Sequence, residues 1–124
     1  MSGKNNFFAF VSSSPDDFSH DFITHLDKEY QFDASWSVAI LQKKTSLVDR
    51  HFILMDICTE SCINSKSVRM IGSFDSDIIN HPIYVPLRNI TTKSLNVSIV
   101  NKSLDHMQMD DQVELLLHFK RSLF

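Results

Sequence analysis

The sequence predicts an all-β fold, an antiparallel sandwich or barrel, and three observations lead there. Short apolar runs recur between polar turns about eight times along the 124 residues, at roughly even spacing. Several of those runs alternate apolar and polar with period two, the spacing that lines one buried face of a strand. No segment shows a convincing long helical stripe. At this length the chain is expected to form one domain, spanning residues 1–124, with a core large enough to fold without covalent staples.

Each element has its own signature. Phe7-Phe8-Ala9-Phe10-Val11 is an apolar, aromatic strand, ended by the turn chemistry of Ser12-Ser13-Ser14-Pro15-Asp16-Asp17. From Phe18 to Leu26, Phe18, Phe22 and Leu26 fit helical spacing while Phe22, Thr24 and Leu26 fit alternation. A strand is expected there because β-rich neighbours flank a short segment. Ser35 to Leu41 is a strand with Trp36, Val38 and Ile40 on one face, and Lys43-Lys44-Thr45-Ser46 reads as a polar connection. His51 to Cys58 is apolar on both faces, as in a central strand, with Asp56 needing hydrogen-bond partners if it points inward.

Ser67 to Gly72 is the next strand, and Asp75-Ser76-Asp77 begins a longer link. Proline at both ends of Pro82–Leu87 suits an edge strand, because proline cannot donate to a ladder. Leu95, Val97 and Ile99 alternate cleanly, and Asn101 to Asp111 forms the last connection. Val113, Leu115, Leu117 and Phe119 then line the buried face of the closing strand, with Glu114, His118 and Lys120 opposite. A chain that stops soon after so strong a strand is expected to end inside its fold.

Composition excludes several classes of function. Net charge is −3 and no basic run exceeds Lys43-Lys44, so a nucleic-acid groove is not expected. The first residues lack the apolar core of a secretory signal, and no run is long enough for a membrane span. Synthesis in the cytosol follows as an expectation. Only two glycines are present, against ten phenylalanines, which disfavours phosphate-binding loops and leaves turns to Asp, Asn, Ser and Lys.

Candidate chemistry is sparse. Cys58 and Cys62 resemble half of a zinc site, but the second pair of ligands with metal-like spacing is missing, so they are read as free thiols. The six histidines (His20, His25, His51, His81, His106, His118) are scattered and read as mostly surface or turn residues. Asp16-Asp17, Asp75 with Asp77, and Asp105 with Asp110-Asp111 lie in turns and match no calcium loop. The Gly-x-Ser-x-Gly elbow is absent. No cofactor, metal or catalytic residue is assigned, and the chain is expected not to be an enzyme. The sequons at Asn89, Asn96 and Asn101 are expected to go unglycosylated, Asn96 being mid-strand.

Exposed apolar residues are the remaining signal. Leu116 interrupts the polar face of the last strand, and Leu123-Phe124 form an apolar end. Single exposed apolar residues are common, but contiguous apolar surface marks interfaces, so these three are the candidate subunit contacts.

Taken in order, the segments resemble the minor capsid, or penton, proteins of Polinton/Maverick elements and adintoviruses. The opening Phe8-Ala9-Phe10-Val11-Ser12-Ser13-Ser14, followed by Phe18 and by Phe22 to Leu26, is similar to that family's first strand, serine-rich turn and following segment. Ser35-Trp36-Ser37-Val38-Ala39-Ile40 and His51 to Ile57 resemble its "W-x-V-A-L" strand and its apolar strand ending in "D-I". Val68 to Ile71, His81 to Leu87, Leu95 to Ile99 and Leu115 to Arg121 are similar to the later stretches, in the same order. The likeness is to a shortened form. A large central insertion shrinks to the turn 43–50, and the turn before the last strand, usually carrying Gly, reads Lys102-Ser103-Leu104-Asp105.

The resemblance implies a single jelly roll of about eight strands in two sheets. It implies a structural role in the virion, as a subunit of the five-fold vertex of an icosahedral capsid. The implied partners are further copies of itself, as a homopentamer, and the major capsid protein. The alternative is a non-enzymatic sandwich module for capsid cementing or for receptor or glycan attachment; a small metal or catalytic protein ranks third.

Overall fold

The computed structural model describes residues 5–13, 21–107 and 112–122. Among these residues it is all-β, with no helix. The strands are β1 (Asn6–Ser12), β2 (Asp21–Phe32), β3 (Trp36–Lys44), β4 (His51–Met55), β5 (Glu60–Ile63), β6 (Lys66–Phe74), β7 (Val85–Pro86), β8 (Ile90–Val100) and β9 (Glu114–Arg121). They form two antiparallel sheets packed against each other, a four-stranded one in the order β1-β9-β3-β7 and a five-stranded one in the order β2-β8-β4-β6-β5. Phe18, His20, Asp16-Asp17, Asp110-Asp111 and the apolar end Leu123-Phe124 lie outside the described residues.

The alternation read from the sequence decides which face goes inward. Trp36, Val38 and Ile40 of β3 pack with Leu115, Leu117 and Phe119 of β9, and opposite them stand Ile53 and Met55 of β4 with Leu95, Val97 and Ile99 of β8. Burying one such side chain fully contributes roughly 1.5–3 kcal/mol, so these four strands supply most of the driving force. At one end of the core lies an aromatic stack. The Phe119 ring is 4.6 Å from Phe7 and 5.6 Å from Phe32, while Trp36 meets Phe32 edge-on at 5.5 Å. Such offset and edge-on contacts suit the ring quadrupoles. They explain where several of the ten phenylalanines go.

Four elements differ from the sequence expectation. β2 continues past Leu26 to Phe32, because the charged stretch after Leu26 bulges out between His25 and Tyr30 and pairing with β8 resumes at Tyr30–Phe32. β4 stops at Met55, and Asp56 leaves the ladder to accept hydrogen bonds from Asn96 N (3.0 Å) and Asn96 Nδ2 (3.2 Å). The proline-bounded segment forms only a two-residue strand, Val85–Pro86, with a single further bridge from Leu87 to Cys58. β5, built on Glu60–Ile63, was not expected; it forms a hairpin with β6 through Asn64-Ser65. Both of those residues have positive φ (51° and 66°), which a two-residue hairpin turn requires and Asn tolerates without glycine.

The turn ahead of β9 uses the same device. Asn101 Oδ1 accepts from Ser103 N and Asp105 N at 2.9 and 3.0 Å, and Leu104 takes a φ of 66° in the left-handed region. A leucine there costs more than the glycine that would fit without strain.

Candidate interaction surface

The outer face of the four-stranded sheet carries Leu116, the one described residue among the three candidate contacts. Its register places Phe10 of β1 on one side and Gln42 of β3 on the other. One row along, His118 stands between Phe8 and Ala39. Phe8 and Phe10 are 60% and 62% exposed, so Leu116, itself half-buried, belongs to an apolar patch rather than to an isolated irregularity. Period two puts Phe7, Ala9 and Val11 against the core and Phe8 and Phe10 in solvent.

Polar and aromatic groups bound this patch. Phe8 stacks on the His118 ring at 4.6 Å, and His118 Nδ1 shares a 2.7 Å hydrogen bond with the Tyr84 hydroxyl. Lys120 Nζ sits 3.8 Å from the centre of the Tyr84 ring, a cation–π contact. His118 is held from both sides, so its ring forms a fixed wall of the surface. Ala39 beneath it is fully buried although it lies on the outward face.

A second cluster occupies the end of the sandwich where β3, β4 and the segment after β6 meet. Lys43 Nζ, with no solvent-exposed side-chain surface, contacts Asp77 Oδ1 at 2.7 Å, the Ser76 carbonyl at 2.8 Å and His51 Nε2 at 3.0 Å. Asp77 also accepts from Thr45 N (2.8 Å), Thr45 Oγ1 (2.6 Å) and Ser46 N (3.0 Å). His51 Nδ1 lies 2.8 Å from the Asp49 carbonyl. These partners fix the tautomer: Nδ1–H donates to Asp49 and Nε2 accepts from Lys43. Phe74 closes the side of the cluster with its ring 4.9 Å from Lys43 Nζ. Gly72 makes room for that ring, since a Cβ there would come within 2.7 Å of Phe74 Cζ.

Charge in this cluster follows from burial and partners. Burial lowers the Lys43 pKa, with Asp77 opposing the change. The His51 pKa is lowered by burial first, and then by the Lys43 ammonium, against the pull of the Asp49 carbonyl. Asp77 falls to about 2, because its hydrogen bonds from Lys43, Thr45 and Ser46 outweigh its own burial. Chemically the arrangement is a clamp. The three ammonium hydrogens meet three acceptors, so Lys43 presents no free lone pair to a substrate.

The expectation for these residues therefore needs correction in two places. Lys43 is not in a polar connection but in β3, pointing inward, and His51 is a fully buried histidine rather than a surface one. Sequence reasoning missed both, and it missed Phe8 and Phe10. A signal for the phenylalanines was present: Phe7 to Val11 is apolar on both faces, too apolar for a strand with one wet side. His51 had none, for what buries its Nε2 is Lys43, eight positions away on another strand, itself held by Asp77, 34 positions on.

Of the metal candidates, Cys58 is buried in the core and Cys62 is exposed on β5. Among the described residues no three His, Cys, Asp or Glu side chains gather to hold an ion. No helix of the described residues is long and apolar enough to cross a membrane. No family model matches the chain, and no curated protein matches it.

Proposed function

We propose that this chain is a viral or virus-derived structural protein, a minor capsid subunit of penton type whose sandwich is wired as a jelly roll. The observation that supports it best is the strand order. Apart from β4, β5 and β6, successive strands alternate between sheets, so that β1-β9-β3-β7 faces β2-β8-β4-β6, with β5 added as a hairpin on β6. This is the pairing that arises when a long antiparallel hairpin is rolled into two four-stranded sheets. The order of the segments from Phe8 to Arg121 that resemble penton proteins supports the capsid role.

On this reading the work of the protein lies in shape and contacts rather than in a reaction. Copies associate head-to-tail around a five-fold vertex, because heterologous contacts close into a ring when the rotation allows. The major capsid protein surrounds that ring in the virion. Native mass spectrometry of the purified 14.3 kDa chain tests the proposal. A five-copy species is expected. A chain that stays monomeric, alone and with capsid protein, overturns it. The alternative, a cementing or attachment module, draws its support from the exposed Phe8 and Phe10 beside Tyr84 and His118.

A further inference from the structure

We propose that the open edge of β1 is a self-association seam, through which two copies of this chain pair antiparallel across a two-fold axis at Ala9. The two four-stranded sheets then join into one. This goes beyond the vertex reading, because a two-fold contact is distinct from the head-to-tail contacts of a ring and is tested separately.

The backbone gives the first reason. Arg121 N donates to the Asn5 carbonyl and Ser13 N to the Val113 carbonyl, so the bonded pairs of the β1–β9 ladder fall on odd-numbered residues of β1. The N–H and C=O groups of Asn6, Phe8, Phe10 and Ser12 therefore point to the open side. No strand of the described residues pairs there. Folded proteins commonly protect such an edge with charges, bulges or proline. The neighbouring edge of the other sheet, β2, has these: Asp21, Asp27, Lys28 and Glu29, and a bulge between His25 and Tyr30. β1 reads Asn-Phe-Phe-Ala-Phe-Val-Ser, without charge, proline or bulge.

Self-complementarity gives the second reason and selects a copy of this chain as the occupant. With Ala9 opposite Ala9 of the other copy, all seven residues of β1 overlap. Phe8 then faces Phe10 of the second copy and Phe10 faces its Phe8. The outward backbone groups fall into bonded pairs, and no charge meets a like charge within the seam. Four rings, each about 60% exposed in the single chain, come together on one face and continue onto Leu116. A shallow groove between β1 and β2, lined by Phe8, Phe10, His25 and Tyr30 among others, runs beside this edge.

Area sets the strength. A phenylalanine buries roughly 150–250 Å², so the four partly exposed rings give up on the order of 400–500 Å². With the backbone strips this stays under the roughly 1,200 Å² at which stable interfaces begin. The dimer is accordingly a weak, transient one.

Sedimentation velocity of the full chain over a concentration range of about 1–300 μM reads the association, and native mass spectrometry counts the copies. Phe10→Pro is the decisive variant. Its lost N–H points to the open edge, so the β1–β9 ladder keeps its bonds. It is expected to weaken association at least tenfold with an unchanged circular dichroism spectrum, while Phe10→Leu keeps it. Should Phe10→Pro fail to fold, Phe8→Lys, which sets one charge per copy in the seam, carries the same expectation. Ala9→Cys in a Cys62→Ser chain is expected to form a reducible dimer on mild oxidation, since opposed residues at unbonded positions lie about 4.5 Å apart. If pentamers form, the seam links them into larger species that Phe10→Pro returns to pentamers. A monomer at every concentration, a folded Phe10→Pro chain that associates normally, or an Ala9→Cys chain that does not cross-link overturns the seam. A pentamer that forms regardless of these substitutions leaves the vertex reading standing without it.

Discussion

Lys43 Nζ and Asp77 Oδ1 lie 2.7 Å apart, the lysine side chain fully buried and the aspartate 30% exposed. The pair pins the segment after β6 to the end of β3, and its two members are not equivalent. Asp77→Ala strands a buried ammonium and also removes the acceptor for Thr45 and Ser46. Lys43→Met leaves Asp77 with those other donors and puts an apolar chain beside Phe74. Breaking a buried pair from one side costs about 3–5 kcal/mol when the charge left behind is uncompensated. Asp77, partly exposed and still hydrogen-bonded, escapes most of that in Lys43→Met, although His51 Nε2 and the Ser76 carbonyl lose their donor. Urea denaturation is expected to show both variants destabilised, Asp77→Ala by at least about 2 kcal/mol and by more than Lys43→Met.

The same cluster sets how stability varies with pH. His51 has its folded pKa lowered from 6.5, first by burial, so below pH 6.5 the unfolded chain binds the proton more readily than the folded one. Stability is therefore full above that pH and falls as acid is added, by at most about 1.4 kcal/mol per pH unit, until the folded histidine itself protonates. Asp77 acts lower down. Its pKa drops from 3.8 to about 2, so its contribution, present above pH 3.8, is lost as pH falls toward 2. Denaturation midpoints measured from pH 8 to pH 2 are expected to decline in both windows. His51→Gln flattens the upper window and leaves the lower one; an unchanged slope between pH 6.5 and 5 would contradict the buried, neutral histidine.

Phe119 joins both sheets through its ring contacts with Phe7 of β1 and Phe32 of β2. Truncating a buried phenylalanine costs about 3–5 kcal/mol, since the cavity adds to the lost transfer energy. Phe119→Ala is expected to cost that much, and Phe119→Leu less than half of it, by the same denaturation assay. Phe8→Ala, on the solvent side of β1, is expected to change monomer stability by under about 1 kcal/mol. Equal losses at positions 8 and 119 would contradict the facing of β1.

What the sequence discloses here follows period two. Leu95, Val97 and Ile99, or Leu115, Leu117 and Phe119, announce their inward face because a sheet with one wet side demands alternation. β5 escaped because Glu60-Ser61-Cys62-Ile63 is polar, and its Asn64-Ser65 turn lacks the glycine that marks a hairpin. Lys43 escaped for a different reason. A lysine at a strand end reads as a solvated residue until Asp77 and His51, both distant in sequence, are seen to enclose it. Leu116 was visible as an exception to alternation. The phenylalanines that extend it into a surface left a signal too, since Phe7 to Val11 is apolar on both faces; what spacing alone withholds is whether another chain covers the outward pair.

Cys58 and Cys62 have three residues between them, a spacing that suggested half a metal site, yet they differ sharply in environment. Cys58 is buried beside Ile57 and Leu87 in the core, and burial, aided by the Asp56 carboxylate, pushes its thiol up to about 12 against the pull of Arg69. Cys62 lies exposed on β5. Only a thiolate attacks a disulfide reagent, so access and pKa both protect Cys58. With a chromogenic disulfide at pH 8, one thiol per chain is expected to react at once, and the second at least about 100-fold more slowly. Urea is expected to bring both to the same rate. Cys62→Ser removes the fast phase, whereas Cys58→Ser removes the slow one and leaves the fast one. Two equal rates in the native protein would mean that the turn after β4 opens, and with it the contacts of Arg88 N with Ile57 O and of Thr59 N with Pro86 O that join this turn to β7 and the residues after it.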